Sequence, residues 1–149
     1  MLLKELCTPD VVCCSPEMRV SVAARLMRQS HVGDLVVVND PDTDPTPIGM
    51  VTDRDIVLEV IGKELNPNTV AVREIMHAPA VIASETDESS QAIERMKSHG
   101  VRRLPVMGQN GKLAGVVSLD DLLRQLAADA TALVEIVNRE QSQEHRRRR

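Results

Sequence analysis

Apolar positions along this chain alternate between two spacings, and the same succession of spacings occurs twice. Val20, Ala23, Ala24 and Met27 stand at i, i+3, i+4 and i+7, the pattern of one buried helical face. Ser15 followed by Pro16 predicts the start of that helix, with a capping hydroxyl and a proline at the first helical position. Short apolar runs predict strands at Val11–Cys14, Leu35–Val38 and Ile48–Val51, and again at Ala80–Ala83, Leu104–Met107 and Leu113–Val117. The last helix has the plainest pattern. Leu119, Leu122, Leu123, Leu126, Ala130, Leu133, Val134 and Val137 keep one apolar stripe over about five turns. Gly62, Asn66, Pro67 and Asn68 mark Gly62–Thr69 as a linker.

The two halves align residue by residue. Ser15/Ser84, Ser21/Ser90, Ala23/Ala92 and Met27/Met96 are identical pairs at an offset of 69, and Val32, Leu35 and Val37 fall on Val101, Leu104 and Val106. Gly49-Met-Val-Thr-Asp-Arg-Asp55 matches Gly115-Val-Val-Ser-Leu-Asp-Asp121 at an offset of 66. The Pro/Asp-rich loop Asp40–Pro47, longer than its counterpart Gly108–Gly111, absorbs the difference. The chain is therefore read as two copies of one βαββα unit of α/β class. The expected bounds are 8–65 and 74–130, with 131–149 as the end of the final helix and a basic tail.

Composition narrows the functions open to such a pair. Phe, Trp and Tyr are absent, which removes aromatic stacking platforms for single strands and aromatic cages for cations. The net charge of −4 is unevenly spread. Residues 138–149 hold five Arg and two Glu, a tail of +3, which leaves −7 on the rest. An acidic body is a poor match for a nucleic-acid backbone. Cys7, Cys13 and Cys14 are too few and too clustered for a disulfide framework. Lys4 and Glu5 stand where a secretory signal needs an apolar run, and no run of about 18 apolar residues exists. These features lead us to expect a cytoplasmic protein with free thiols and no membrane span.

Candidate chemistry concentrates at two turns. Thr52-x-x-Asp55 and Ser118-x-x-Asp121 each follow a Gly-containing apolar strand and open a helix. One reading is a capping box, in which hydroxyl and carboxylate satisfy free N–H groups of the first turn. The other is ligand binding, because a helix N-terminus attracts anions and a carboxylate one turn on accepts ribose hydroxyls. Asp40, Asp42 and Asp44 imitate a calcium loop, but Pro45 and Val51 occupy positions that need Gly and Glu. Cys7, Cys13 and Cys14 with His31, His77 or His99 lack zinc-ligand spacing, and no catalytic set stands out. His31 and His99 are expected to complement helix C-termini. No cofactor is expected.

With Gly49, Thr52, Asp55 and Gly115, Ser118, Asp121 in order, and Val32-Gly-Asp-Leu-Val-Val-Val38 and Val101-Arg-Arg-Leu-Pro-Val-Met107 before them, the chain resembles a tandem pair of CBS domains, a Bateman module, from about Val11 to Leu126. The resemblance implies two repeats about a pseudo-twofold axis, with small sheets flanked by helices and two related clefts for adenosine ligands such as AMP, ADP, ATP or S-adenosylmethionine. Carried over by position, Thr52 and Asp55 would face Ala80, Val101, Arg102 and Arg103. Ser118 and Asp121 would face Val11, Val32, Gly33 and Asp34. Phosphate-bearing ligands would then prefer the Asp55 cleft, which gains both arginines.

The resemblance further implies a non-enzymatic sensor acting on a separate, unidentified regulated protein, and a homodimer. The apolar residues Ile56, Val57, Val60, Ile61, Leu122, Leu123, Leu126 and Leu133 exceed what one pair of repeats would bury. The alternative is an interaction scaffold whose clefts stay empty. Nucleic-acid binding through the Arg tail is a third reading, which the acidic body argues against.

Overall fold

A computed structural model describes residues 1–149. Two three-stranded mixed sheets form, one per repeat. In the first, β1 (Cys13–Cys14) runs parallel to β2 (Asp34–Asp40), which pairs antiparallel with β3 (Asp44–Thr52). In the second, β4 (Ala83–Ser84), β5 (Arg103–Met107) and β6 (Leu113–Ser118) repeat that order. Helix α2 (Val20–Ser30) crosses from β1 to β2, and α4 (Ser89–His99) from β4 to β5. After β3, α3 (Asp53–Ile56) continues through a π-helical stretch, Val57–Ile61; after β6, α5 covers Leu119–Arg147. A short α1 (Leu3–Leu6) and a 3₁₀ turn (Val72–Glu74) precede the first and second repeats.

Each repeat has its own apolar core, built from matching positions. Cys14, Ala23, Met27, Leu35, Val37, Val51 and Ile56 are buried in the first. Their counterparts Ala83, Ala92, Met96, Leu104, Val106, Val117 and Leu122 are buried in the second. No polar side chain is buried in either, so the cores rest on burial of aliphatic surface.

The segments before the repeats are exchanged. Leu3, before the first repeat, is fully buried in the second core, and Val72, before the second, is fully buried in the first. Thr8 bridges Val116 of β6, while His77 bridges Met50 of β3. These close approaches account for two glycines. A Cβ on Gly49 would lie 2.6 Å from the His77 carbonyl oxygen, and one on Gly115 would lie 2.6 Å from that of Thr8. The arms also cap the helices. The N–H groups of Val20 and Ser21 donate to the carbonyls of Val70 and Pro67, and that of Ser89 donates to the carbonyl of Met1.

That tertiary capping moves several boundaries. Helix α2 begins at Val20 with Arg19 as its N-cap, not at Ser15, because the linker supplies acceptors there and Pro16–Met18 pairs with Val72 and Arg73 instead. The strands expected over Val11–Cys14 and Ala80–Ala83 shrink to Cys13–Cys14 and Ala83–Ser84. Ala80 instead donates its N–H to Ile48 at the edge of β3. The expected loop Asp40–Pro47 is largely strand, closed by a tight turn in which Asp40 accepts from the N–H groups of Asp42 and Thr43. The basic tail expected at the end of the final helix is itself helical through Arg147. No helix is long and apolar enough to cross a membrane.

Candidate functional site

Both repeated turns form capping boxes. Thr52 Oγ1 accepts from the Asp55 N–H at 3.1 Å, and Asp55 Oδ2 accepts from the Thr52 N–H at 2.8 Å. Ser118 and Asp121 repeat both bonds at 3.1 and 2.8 Å, and Ser118 Oγ also donates to Asp121 Oδ2 at 2.8 Å. Each carboxylate thus commits Oδ2 to its own helix start and presents Oδ1 outward. The two turns differ in what meets that free oxygen. At Asp55 it is His77 Nε2 at 2.8 Å; at Asp121 it is Arg124 Nη1 at 3.3 Å. Both partners lie largely in solvent, the His77 and Arg124 side chains being 74% and 77% exposed.

A cavity of about 180 Å³ opens beside Asp121 between the repeats. Its apolar wall comes from Val11, Val12, Val32, Val36 and Val116, and its polar lining from Thr8, Asp10, Asp34, Arg103, Ser118 and Asp121. The first repeat supplies the β1 approach and the start of β2; the second supplies the start of β5 and the end of β6. Val11, Val32, Asp34, Ser118 and Asp121 therefore meet, as the carried-over positions anticipate. Gly33 does not join them. Its carbonyl accepts from the Asp53 N–H at 2.9 Å, and it borders a different surface depression with Asp53 and Val57.

The other grouping is not assembled as expected. Arg103 lies in the Asp121 cavity, its Nε 3.1 Å from Asp34 Oδ1, rather than opposite Asp55. The reason is positional. Asp34 and Arg103 open β2 and β5, and each sits in register with its own repeat's turn hydroxyl, Thr52 and Ser118. They are equivalent residues at an offset of 69, and the two-repeat packing brings them together. Arg102 is exposed, its carbonyl accepting the Leu119 N–H, and Val101 packs against the second core. Thr52 and Asp55 keep company with His77.

Burial pushes the Asp34 carboxyl above the ordinary carboxylate range, the Arg103 guanidinium only partly offsets this, and Asp53 adds to it. The cavity thus holds Asp10, Asp34 and Asp121 against one cation. Arg103, His77 and Thr8 carry the differences between the two sides, and sequence reasoning had assigned the first elsewhere and the others nowhere. The signal was present: extending the offset of 69 backward pairs Thr8 with His77, and applying it to Asp34 gives Arg103. No three His, Cys, Asp or Glu side chains cluster closely enough to hold a metal ion.

Comparison with known proteins gives a consistent picture. The family model described as CBS domain matches twice, over residues 3–62 and 72–128. An uncharacterised protein of Methanopyrus kandleri is 38% identical over 120 residues, 80% of this chain, which spans 60% of that protein's length. The uncharacterised protein YlbB of Bacillus subtilis is also 38% identical over 120 residues, covering 80% of this chain and 78% of its own. Among solved structures, a CBS domain protein of Pyrobaculum aerophilum complexed with AMP superposes with a TM-score of 0.73 at 25% identity. That match covers 86% of this chain and 99% of the other.

Proposed function

Because the chain belongs to the CBS domain family and carries the domain twice in tandem, we propose that it is a non-enzymatic regulatory module that binds an adenosine nucleotide between its repeats and passes occupancy to a separate protein. One observation carries this reading: the Ser118–Asp121 turn opens onto a cavity walled by both repeats and lined by aliphatic side chains together with Arg103. Asp121 Oδ1 would accept the ribose hydroxyls in place of the exposed Arg124. The valines would take the base, and Arg103 the phosphate. The AMP complex of the Pyrobaculum protein, of like fold and 25% identity, supports the choice of ligand class.

This assignment exchanges the roles first expected of the two sides, since the arginine accompanies Asp121. Thr52, Asp55, Ala80, Val101 and Arg102 then frame a lesser or empty cleft. We also take the working form to be a cytoplasmic homodimer. Val57, Leu58 and Ile61 on the first repeat and Leu123 and Leu126 on the second stand between 48% and 65% exposed, an apolar load that association would cover.

The test is calorimetric titration with AMP, ATP and S-adenosylmethionine on the parent chain and on Asp121→Ala. We expect AMP binding, weakened at least tenfold by Asp121→Ala. Silence toward all three ligands would refute the sensor reading in favour of a ligand-free scaffold.

A further inference from the structure

The outer part of α5 belongs to neither core. From Leu126 onward every residue is exposed, and Leu126, Leu133, Val134, Ile136 and Val137 are each between 50% and 65% open. A solvated helix of this length with polar residues on all sides would need no partner. This one segregates its residues. Leu123, Ala130 and Val137 recur every seventh position, with Leu126 and Leu133 between them. The reverse face carries Gln125, Thr131, Glu135, Asn138 and Arg139, with Ile136 the one large apolar residue among them. An apolar stripe at this spacing on a helix that neither core covers is a face, or seam, fitted to a second helix.

We propose that this seam pairs with the same seam of a second copy of the chain, the two α5 helices running antiparallel and crossing at Ala130. The pattern about Ala130 is close to self-reversing: Leu123 comes opposite Val137, Leu126 opposite Val134, and the small Ala130 opposite itself. That is the self-complementarity a twofold interface requires. Charge selects the direction. Asp120, Asp121 and Asp129 against Arg124 leave −2 at the beginning of the helix, whereas residues 138–149 carry +3. Antiparallel pairing about Ala130 sets Arg139 opposite Asp121 and carries the two Arg146–Arg149 ends apart, past the start of the partner helix, whereas parallel pairing sets +3 against +3. Past Val137 the seam positions become Glu140, Gln141 and Glu144, so the apolar contact stops there.

This inference deepens the homodimer reading above and is independent of the nucleotide. Sedimentation of the parent chain at about 50 µM should give a dimer. Leu133→Glu combined with Val137→Glu should shift it to monomer, while calorimetry or circular dichroism still reports folded repeats. Cysteine variants read the direction, with the parent and its three native thiols as control. Under mild oxidation Ala130→Cys should link two copies, as should Leu123→Cys combined with Val137→Cys, whereas Val137→Cys alone should not. A monomeric parent would refute both the dimer and the seam. A dimer that survives the double Glu variant would refute the seam and leave the dimer standing. Linking by Val137→Cys alone would replace the antiparallel pairing with a parallel one. Co-purification of a different protein on α5, with the parent monomeric in its absence, would give the seam to that protein and overturn pairing between copies.

Discussion

Asp34→Asn isolates the contribution of charge to the cavity. In the parent, Asp34 Oδ1 lies 3.1 Å from Arg103 Nε, and the Asp34 side chain is only 16% exposed. The guanidinium that would receive a phosphate is therefore already engaged, in a cavity with two further carboxylates, Asp10 and Asp121. Asparagine keeps the shape and removes one negative charge. A carboxylate about 7 Å from a phosphate repels it by about 0.6 kcal/mol in water and about 2.4 kcal/mol at an effective dielectric of about 20. AMP should therefore bind about 3- to 60-fold more tightly to the variant. Adenosine, lacking the phosphate, should change less than about twofold. The AMP gain should shrink at high salt. Titration of AMP and adenosine on parent and variant decides the matter. Equal shifts for the two ligands, or no shift for AMP, would show that the phosphate does not approach Asp34 and Arg103. Stability supplies a second reading. Burial raises the Asp34 pKa above its unfolded value, so its ionisation costs stability as pH rises through that range. At neutral pH the variant should match or exceed the parent in denaturant unfolding. The gap should close as pH falls below the ordinary carboxylate range, where Asp34 is protonated in both states.

His77→Thr places at Asp55 the residue found at the equivalent position beside Asp121. It frees Asp55 Oδ1, and nucleotide stoichiometry by titration should rise from one to two per chain; an unchanged value would mean that His77 does not guard that side. Leu3→Ala removes a fully buried side chain from the second core and should cost about 2–5 kcal/mol. Hydrogen exchange should quicken in β4–β6 more than in β1–β3, and the reverse pattern would deny the exchange of arms. Gly115→Ala drives a Cβ to 2.6 Å from the Thr8 carbonyl oxygen, and a loss of about 1–3 kcal/mol in thermal or denaturant unfolding should follow. A neutral result would show that the arm lies more loosely on β6.

The repeat, the succession of strands and helices along it and both capping turns were legible because they are local or periodic. Val20, Ala23 and Met27 announce α2 by spacing alone, and Thr52 and Ser118 announce their helices by a hydroxyl three residues before a carboxylate. What escaped was set by contacts between distant segments. Ser15-Pro16 has the composition of a helix start, yet Val70 and Pro67 supply the first carbonyl acceptors of α2 at Val20 and Ser21, which no local pattern encodes. Leu3 reads as an unremarkable leader residue because its cavity lies in the other repeat. Gly49 and Gly115 were read as parts of a ligand motif. Their need for glycine comes from the carbonyls of His77 and Thr8 lying across them. Arg103 was misplaced for a related reason. Its position in its own repeat was right, but the partner it meets is its counterpart Asp34, a contact fixed by the packing of one repeat on the other.

That packing also bears on how occupancy could reach another protein. The arm holding Thr8, Asp10 and Val11 at the cavity begins at Leu3, inside the second core, and its Met1 carbonyl caps α4. The cavity's opposite lip, Ser118 and Asp121, is the first turn of α5, whose outer half bears the proposed seam. A ligand there touches both repeats and the start of the helix that would join two copies. It shifts any equilibrium only by its difference in affinity between two arrangements. Arg103, paired with Asp34 in the free protein, would supply the second on the proposed reading by turning to a phosphate. Because Asp34 opens β2 and Arg103 opens β5, releasing that pair removes a charge contact that ties the repeats together. On the proposed reading a phosphate-bearing ligand exchanges a bond between repeats for bonds to itself, whereas an adenosyl ligand without phosphate leaves the bond in place. The two ligand kinds would then set different repeat arrangements from the same cavity, and the factor by which either changes association is the factor by which association changes its binding.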